Sequence, residues 1–217
     1  TDDLLIAGEA ATYDGPWDNP DKVRKLNAMV RYSEGTAADG LSLSGMAYAN
    51  RWNATDQVPL RAIASGEIGL YGALDPSDGG RADRFSLSVR WKRSDKEGSS
   101  KASFYAIKSS LDLYNNFTFF LSDPVNGDQF RQHDDRVVAG ANASQTFNGF
   151  LAGLLVQTEI GVQSRYDDIK VSLSNTLQRR FLAGTRDDRV KEASAGLFVQ
   201  SPRHWTPWRR TAAGYRG

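Results

Sequence analysis

Apolar and polar residues alternate with a period of two along most of the chain, and almost nowhere with the period of a helix. Between Arg84 and Lys92, the residues Phe85, Leu87, Val89 and Trp91 fall on one side of an extended segment. Arg84, Ser86, Ser88, Arg90 and Lys92 fall on the other. Successive side chains of a strand point to opposite faces, so this pattern predicts an amphipathic β-strand. Leu26, Ala28, Val30 and Tyr32 repeat it. So do Val156, Ile160, Val162 and Tyr166, set against Gln157, Glu159, Gln163 and Arg165. Tyr105, Ile107, Leu111 and Leu113 oppose Lys108, Ser110 and Asp112. Ala193, Ala195, Leu197 and Val199 oppose Glu192, Ser194 and Gln200.

Turn-forming residues separate these runs: Asp14-Gly-Pro, Glu34-Gly, Ala38-Asp-Gly, Asp75-Pro-Ser-Asp-Gly-Gly, Ser94-Asp-Lys-Glu-Gly, Asn115-Asn116 and Asp123-Pro-Val-Asn-Gly. Gly and Asn tolerate left-handed backbone, and Pro ends a ladder, so each marks a chain reversal. The resulting strands are 4–13, 23–33, 41–52, 67–74, 83–93, 102–114, 117–122, 135–147, 154–167, 189–200 and 206–216. Helical signal is confined to a turn or two in 21–29 and one short loop helix in 58–64.

The polar faces carry Arg, Gln, Glu and aromatic residues as well as Ser and Lys, over roughly ten residues per strand. That is the length and alternation of an outer-membrane strand with a hydrated lumen. A large soluble antiparallel β-protein has the same periodicity, and alternation alone leaves both open.

Composition narrows the choice little but excludes a good deal. The 217 residues suffice for one large all-β domain or two small ones. Lys and Arg number 27 against 26 Asp and Glu, which argues against a general nucleic-acid binder. Cysteine is absent, which excludes a disulfide framework, a thiolate metal site and a cysteine nucleophile. Mean hydropathy is −0.51, and the longest apolar run, Phe150 to Val156, is far too short for a membrane helix. A barrel strand meets lipid on one face only, so low hydropathy is compatible with a barrel. The chain opens Thr1-Asp2-Asp3 and finishes at Gly217, directly after strand-like residues. An unpaired terminal strand is an aggregation hazard, so both ends are expected to be cuts in a longer chain.

Ser109-Ser-Leu-Asp-Leu-Tyr-Asn-Asn-Phe-Thr-Phe-Phe-Leu121 and the adjoining Asp123-Pro-Val-Asn-Gly-Asp-Gln-Phe130 resemble the barrel of TonB-dependent receptors. So do Asp75 to Gly80 leading into Arg84–Trp91, Gly161 to Ile169, and Ala195 to Gln200 with Trp205 to Arg216. The resemblance runs from about Tyr13 to the end, and rests on order and spacing rather than on one motif. It implies an all-β fold: an antiparallel transmembrane β-barrel segment, about half of a large outer-membrane barrel that closes with roughly 22 strands. Residues 1–217 would be a partial barrel, with the plug domain and the barrel C-terminus absent. Turns at 34–40, 75–82, 115–116, 148–153 and 201–205 would face the periplasm. Loops 14–22, 53–66, 94–101, 123–134 and 168–188 would face outward.

The function the resemblance implies is uptake of a scarce nutrient, such as an iron–siderophore complex, across the outer membrane. The implied partners are TonB (through the missing plug), the siderophore or other small nutrient, and outer-membrane lipid, with no nucleic acid. A plug-free porin-like channel and a soluble β-rich binding module are the alternatives.

The candidate chemistry is sparse, and the protein is expected not to be an enzyme. The two histidines, His133 and His204, lie in separate loops without a second ligand at metal spacing. No Gly-x-Ser-x-Gly elbow and no phosphate-binding glycine loop occurs. Hence no catalytic residue, metal ligand or cofactor is assigned, and the ligand-binding residues stay unknown. Asp134-Asp135, Asp167-Asp168 and Asp187-Asp188 offer oxygens to calcium, but solvated charge paired with Arg136, Arg165, Arg186 or Arg189 is the simpler expectation. Trp17, Trp52, Trp91, Tyr13 and Tyr166 near strand ends suit an interfacial aromatic girdle. Trp17, Trp52, Phe130 and Arg131 are further candidates for ligand contact from the outer loops.

Overall fold

The alternating runs form β-strands in the computed structural model, which describes residues 2–36, 38–151, 154–206 and 209–217. The strands are β1 (Asp3–Tyr13), β2 (Val23–Gly35), β3 (Gly40–Asn53), β4 (Gly79–Ser94), β5 (Gly98–Asn115), β6 (Phe130–Leu151), β7 (Leu154–Leu177), β8 (Arg180–Thr206) and β9 (Arg209–Arg216). A short helix, α1 (Leu60–Ala64), lies between β3 and β4. Every strand pairs antiparallel with its chain neighbours, in the order β1 to β9. Among the described residues β1 and β9 do not meet, so the sheet has two free edges.

Register puts the apolar sets in line. Val30 stands opposite Ile6 and Gly45; Gly45 opposite Leu87; Leu87 opposite Ala106; Ala106 opposite Ala139. Further along, Ala143 faces Val162, and Val162 faces Leu197. A slip of one residue in any pair would turn a whole apolar set to the other face, so this alignment fixes the register. The sheet curls around its polar face: residues from β1 to β8 line one cavity of about 1210 Å³ there, including Asp3, Arg31, Arg90, Lys101, Asn142 and Gln163.

Several sequence expectations need correction. Segment 67–74 is not a strand, because Gly69 and Gly72 close a turn instead (Gly72 N–H to the Gly69 carbonyl, 3.0 Å). Segment 117–122 is not one either. The Asn116 Oδ1 accepts the Phe119 N–H at 2.8 Å, and Phe119 takes a left-handed φ of 59°. Nine strands therefore replace eleven. With those two gone, the sides of the connections change. The 94–101 region is a tight turn at the same end as 36–39, while 75–82 and 115–116 belong to the opposite, long-loop end. Residues 168–188 are the outer parts of β7 and β8, paired as far as Leu177–Arg180. Residues 201–205 continue β8, and the turn expected at 148–153 falls partly outside the described residues. The helical turn weighed for 21–29 is β2, whereas α1 matches the loop helix expected in 58–64. On β5, Lys108, Ser110 and Asp112 share the outward face with Phe104 and Ala106. Tyr105, Ile107, Leu111 and Leu113 face the concave side.

Candidate functional site

The two faces of the sheet differ in chemistry, and the difference follows from the alternation. On the convex face, Leu4, Ile6, Leu26, Val30, Leu43, Phe85, Leu87, Phe104, Val137, Ile160, Val162, Leu197 and Tyr215 form an apolar belt, interrupted by Lys108 between Phe85 and Val137. All of these are exposed. From Leu41 to Ala49 the belt runs about 26 Å along the strand at roughly 3.3 Å per residue. Among the described residues only Ala62 and Val138 are buried hydrophobics. A sheet this large has no packed core among the described residues, and none of them covers its apolar face.

Trp91 and Tyr166 lie on the convex face, as an aromatic girdle requires. Trp17 does not; it packs against Tyr71 in the loops, ring centroids 6.1 Å apart. Trp52 faces the concave side over Gly80, where an added Cβ would come within 2.6 Å of the indole.

The concave face is mixed, with the apolar Ile107, Leu111 and Leu113 of β5 among polar and charged side chains. Arg31 donates from Nε to the Ser42 hydroxyl at 3.1 Å, and Ser33 bonds the same hydroxyl. Lys101 reaches Glu159 at 3.6 Å, and Glu159 also accepts from Ser144 at 2.7 Å and from Gln200 at 2.6 Å. The acidic pairs expected in loops lie on strands instead, and the arginines meet them there. Arg136 pairs with Asp134 at 2.7 Å, Arg165 with Asp167 at 2.6 Å, and Arg186 with Asp188, whereas Arg189 meets Asp168 at 2.6 Å on the convex face. Among the described residues no group of three or more His, Asp or Glu side chains is arranged to hold a metal ion. His133, expected in a loop, sits on β6 with its Nδ1 2.7 Å from Asp112 and Arg131 beside it. The His204 side chain lies outside the described residues.

At the long-loop end, three connections close over one buried polar knot that the sequence pattern did not reveal. Gln129 is buried at the end of the β5–β6 connection. Its Nε2 donates toward Ser77 (2.7 Å), Asp78 (3.1 Å) and Asp75 (3.2 Å). Its Oε1 accepts the Thr176 hydroxyl at 3.0 Å and the Arg179 N–H at 2.8 Å. Asn116, also buried, donates to Asp75 at 2.8 Å. Burial pushes the Asp78 carboxyl up to about 8, helped by the charges of Asp75 and Asp56.

Arg179 stands at the tip of the β7–β8 hairpin and ties the knot to β3. Its Nε donates to the Ser77 carbonyl (2.6 Å), and its Nη2 to the Asp78 carbonyl (2.9 Å) and Asn53 Oδ1 (3.1 Å). Its guanidinium lies 5.4 Å over the Tyr114 ring. Gln178 and Arg179 both have positive φ, 49° and 65°, in a turn of the kind usually made by Asn-Gly. These contacts offset the backbone cost. Gly79 leaves room for them: at φ 135°, a Cβ there would meet the Trp52 carbonyl oxygen at 2.3 Å.

The fold is similar to that of a solved ferric citrate transporter. That structure, FecA in its unliganded form, matches with a TM-score of 0.67 over 99% of this chain, at 6% sequence identity. The chain spans 39% of the length of FecA. No family profile matches the chain, and no curated protein matches it. At this identity the likeness to FecA speaks for the fold: the nine-stranded sheet is a segment of barrel wall. No helix among the described residues is long and apolar enough to cross a membrane.

Proposed function

We propose that this chain is part of the wall of an outer-membrane receptor that takes up a scarce nutrient, with a ferric siderophore the first candidate, energised through TonB. The observation that carries the reading is the exposed apolar belt on a sheet without a core. A belt of about 25 Å is what the hydrocarbon layer asks of an outer-membrane barrel. In water such a face would drive aggregation. The resemblance of the sequence to TonB-dependent receptors and the likeness in fold to a ferric citrate transporter support the same reading. The short-turn end would face the periplasm, and the capped loops the outside. The mechanism is binding and gated passage without bond chemistry, so no catalytic group is needed. The polar cavity on the concave face suits a plug-free channel equally well, which keeps passive diffusion as the second reading.

Fractionating source cells with an antibody to 168–188, and following uptake with and without TonB, tests this. The protein should appear in the outer membrane, and loss of TonB should abolish uptake. Uptake that survives loss of TonB selects the channel. Recovery in the soluble fraction overturns both.

A further inference from the structure

Where β2, β3 and β4 leave the apolar belt at the long-loop end, the convex face carries three arginines side by side. Arg24 stands directly opposite Arg51, and Arg51 directly opposite Arg81. All three are exposed. Arg24 neighbours Leu26 on that face and Arg51 neighbours Ala49, each about 6.6 Å away along its strand. Like charges so placed destabilise a sheet. Asp83 relieves Arg81 at 2.5 Å. Among the described residues Arg24 and Arg51 form no ion pair, although Asp14, Asp18 and Asp21 lie in the adjoining loop. Asp112, opposite Arg81, is engaged by Arg131 and His133. Other parts of the margin are of mixed sign. Asp135 stands opposite Lys170, and Arg189 meets Asp168. At the short-turn margin the same face ends in Glu34 on β2 and Arg93 on β4.

Inward of the arginines the belt is hollow. Ala28, Gly45 and Ala47, flanked by Phe85 and Leu87, line an open groove of about 550 Å³. A Cβ added at Gly45 would meet nothing within 4 Å.

We propose that the Arg24–Arg51–Arg81 row and this groove together seat one lipid of the outer leaflet whose headgroup bears phosphate. Guanidinium forks take phosphate oxygens in bidentate fashion, and an acyl chain lies in the groove below them. Strands about 4.8 Å apart spread the row over about 10 Å, which gives room for a headgroup with two phosphates. Repulsion within the row turns into affinity when the anion arrives. A soluble anion would use the arginines and leave the groove empty, so the pair of features selects a lipid. This inference rests on the barrel-wall reading above, which sets this face against lipid and this end outward.

The test is native mass spectrometry of the protein purified in detergent from outer membranes. The probes are diphosphorylated lipid A, dephosphorylated lipid A and pyrophosphate. The diphosphorylated lipid should bind most tightly. Arg24→Gln and Arg51→Gln should each weaken it about fivefold, and together roughly thirtyfold. Gly45→Leu, which fills the groove without a clash, should weaken both lipids. Arg165→Gln, on the concave face, should leave lipid binding unchanged. Without lipid, the double variant R24Q/R51Q should unfold at the same or a higher temperature, since repulsion is removed. Weaker binding would then not be a folding defect. Equal binding of the two lipids would overturn the proposal, as would unchanged affinity in R24Q/R51Q or in G45L. Pyrophosphate binding as tightly as the lipid would overturn it too, by making the row a site for a soluble anion. Recovery of the protein in the soluble fraction sinks the barrel-wall reading, whereas an outer-membrane protein whose lipid affinity ignores these substitutions sinks this inference alone.

Discussion

At the long-loop end, the connection 54–78 is held by side chains that come from other connections: Gln129 from β5–β6, and Arg179 from β7–β8. At the short-turn end, among the described residues, each connection is closed by its own residues and reached only from the strand beside it. Ser94 donates to Asp39 Oδ1 (2.7 Å) and the Ala38 carbonyl (3.0 Å), and Asn148 to the Lys96 and Glu97 carbonyls (3.3 and 2.7 Å). Thr36 Oγ1 accepts the N–H of Ala38 and of Asp39, and Asp95 Oδ1 accepts those of Glu97 and Gly98. The first arrangement joins three connections around one buried side chain, and the second joins each turn to the one strand beside it. Damage at one end should spread across several strands, whereas damage at the other should stay within a turn and its neighbouring strand.

Arg179→Ala offers the strongest way to break that contrast. It removes the donors to Ser77, Asp78 and Asn53, and leaves a left-handed turn without compensation. The free energy for local opening of the cap should fall by about 2–3 kcal/mol, as expected for a charged donor network. Hydrogen exchange should speed up together at Ala54, Asn116 and Thr176. Faster exchange at residue 179 alone would mean the loops are independent.

Acidity sharpens the contrast next. The folded Asp78 carboxyl has its pKa raised to about 8, so its proton stabilises the cap. That stabilisation is fully present below the ordinary carboxylate range and is lost as pH rises through about 8. Cap amides should exchange up to about tenfold faster per pH unit in that window, beyond the intrinsic rate. Asp78→Asn, which keeps an acceptor for Gln129, should flatten the dependence. Asp123 and Asp128 behave oppositely. Backbone N–H groups donated to them, from Asn126 and Ser122 respectively, hold both below the ordinary range. Their contribution is present at neutral pH and lost as the solution is acidified below that range.

The smallest effect is expected from Asp95→Ala. Losing two local acceptor contacts should cost about 0.5–1 kcal/mol, confined to exchange at Glu97, Gly98 and the Asn148 N–H bonded to the Glu97 carbonyl.

Much of the sheet was legible because alternation is a local property. Arg84–Lys92 reads as a strand from its own residues, and β4 contains it. The outer parts of β7 and β8 were not legible, since Asp167-Asp168 and Asp187-Asp188 look like loop residues until the cross-strand partner is known. Arg189 on β8 neutralises Asp168 on β7, and that pairing depends on register. Phe117 to Ser122 failed for the reverse reason. Its apolar run favours a strand, but Asn116 captures the Phe119 N–H and turns the chain. The knot around Gln129 was invisible, because its members are separated by dozens of residues and none has an unusual local pattern.

The strict neighbour order of the sheet also has a consequence for how the wall is made. Each strand needs only the strand just synthesised as its template, so the sheet can grow by addition of successive hairpins. Most steps close a short loop, the long β3–β4 connection being the exception, and closure entropy rises only slowly with loop length. Such a path is quick for a β-protein, whose slow steps are pairings distant along the chain. In a barrel closed from such a sheet, the pairing distant along the chain would be the seam where its first and last strands meet. Assembly rate should therefore be governed by that seam and hardly at all by the nine strands described here.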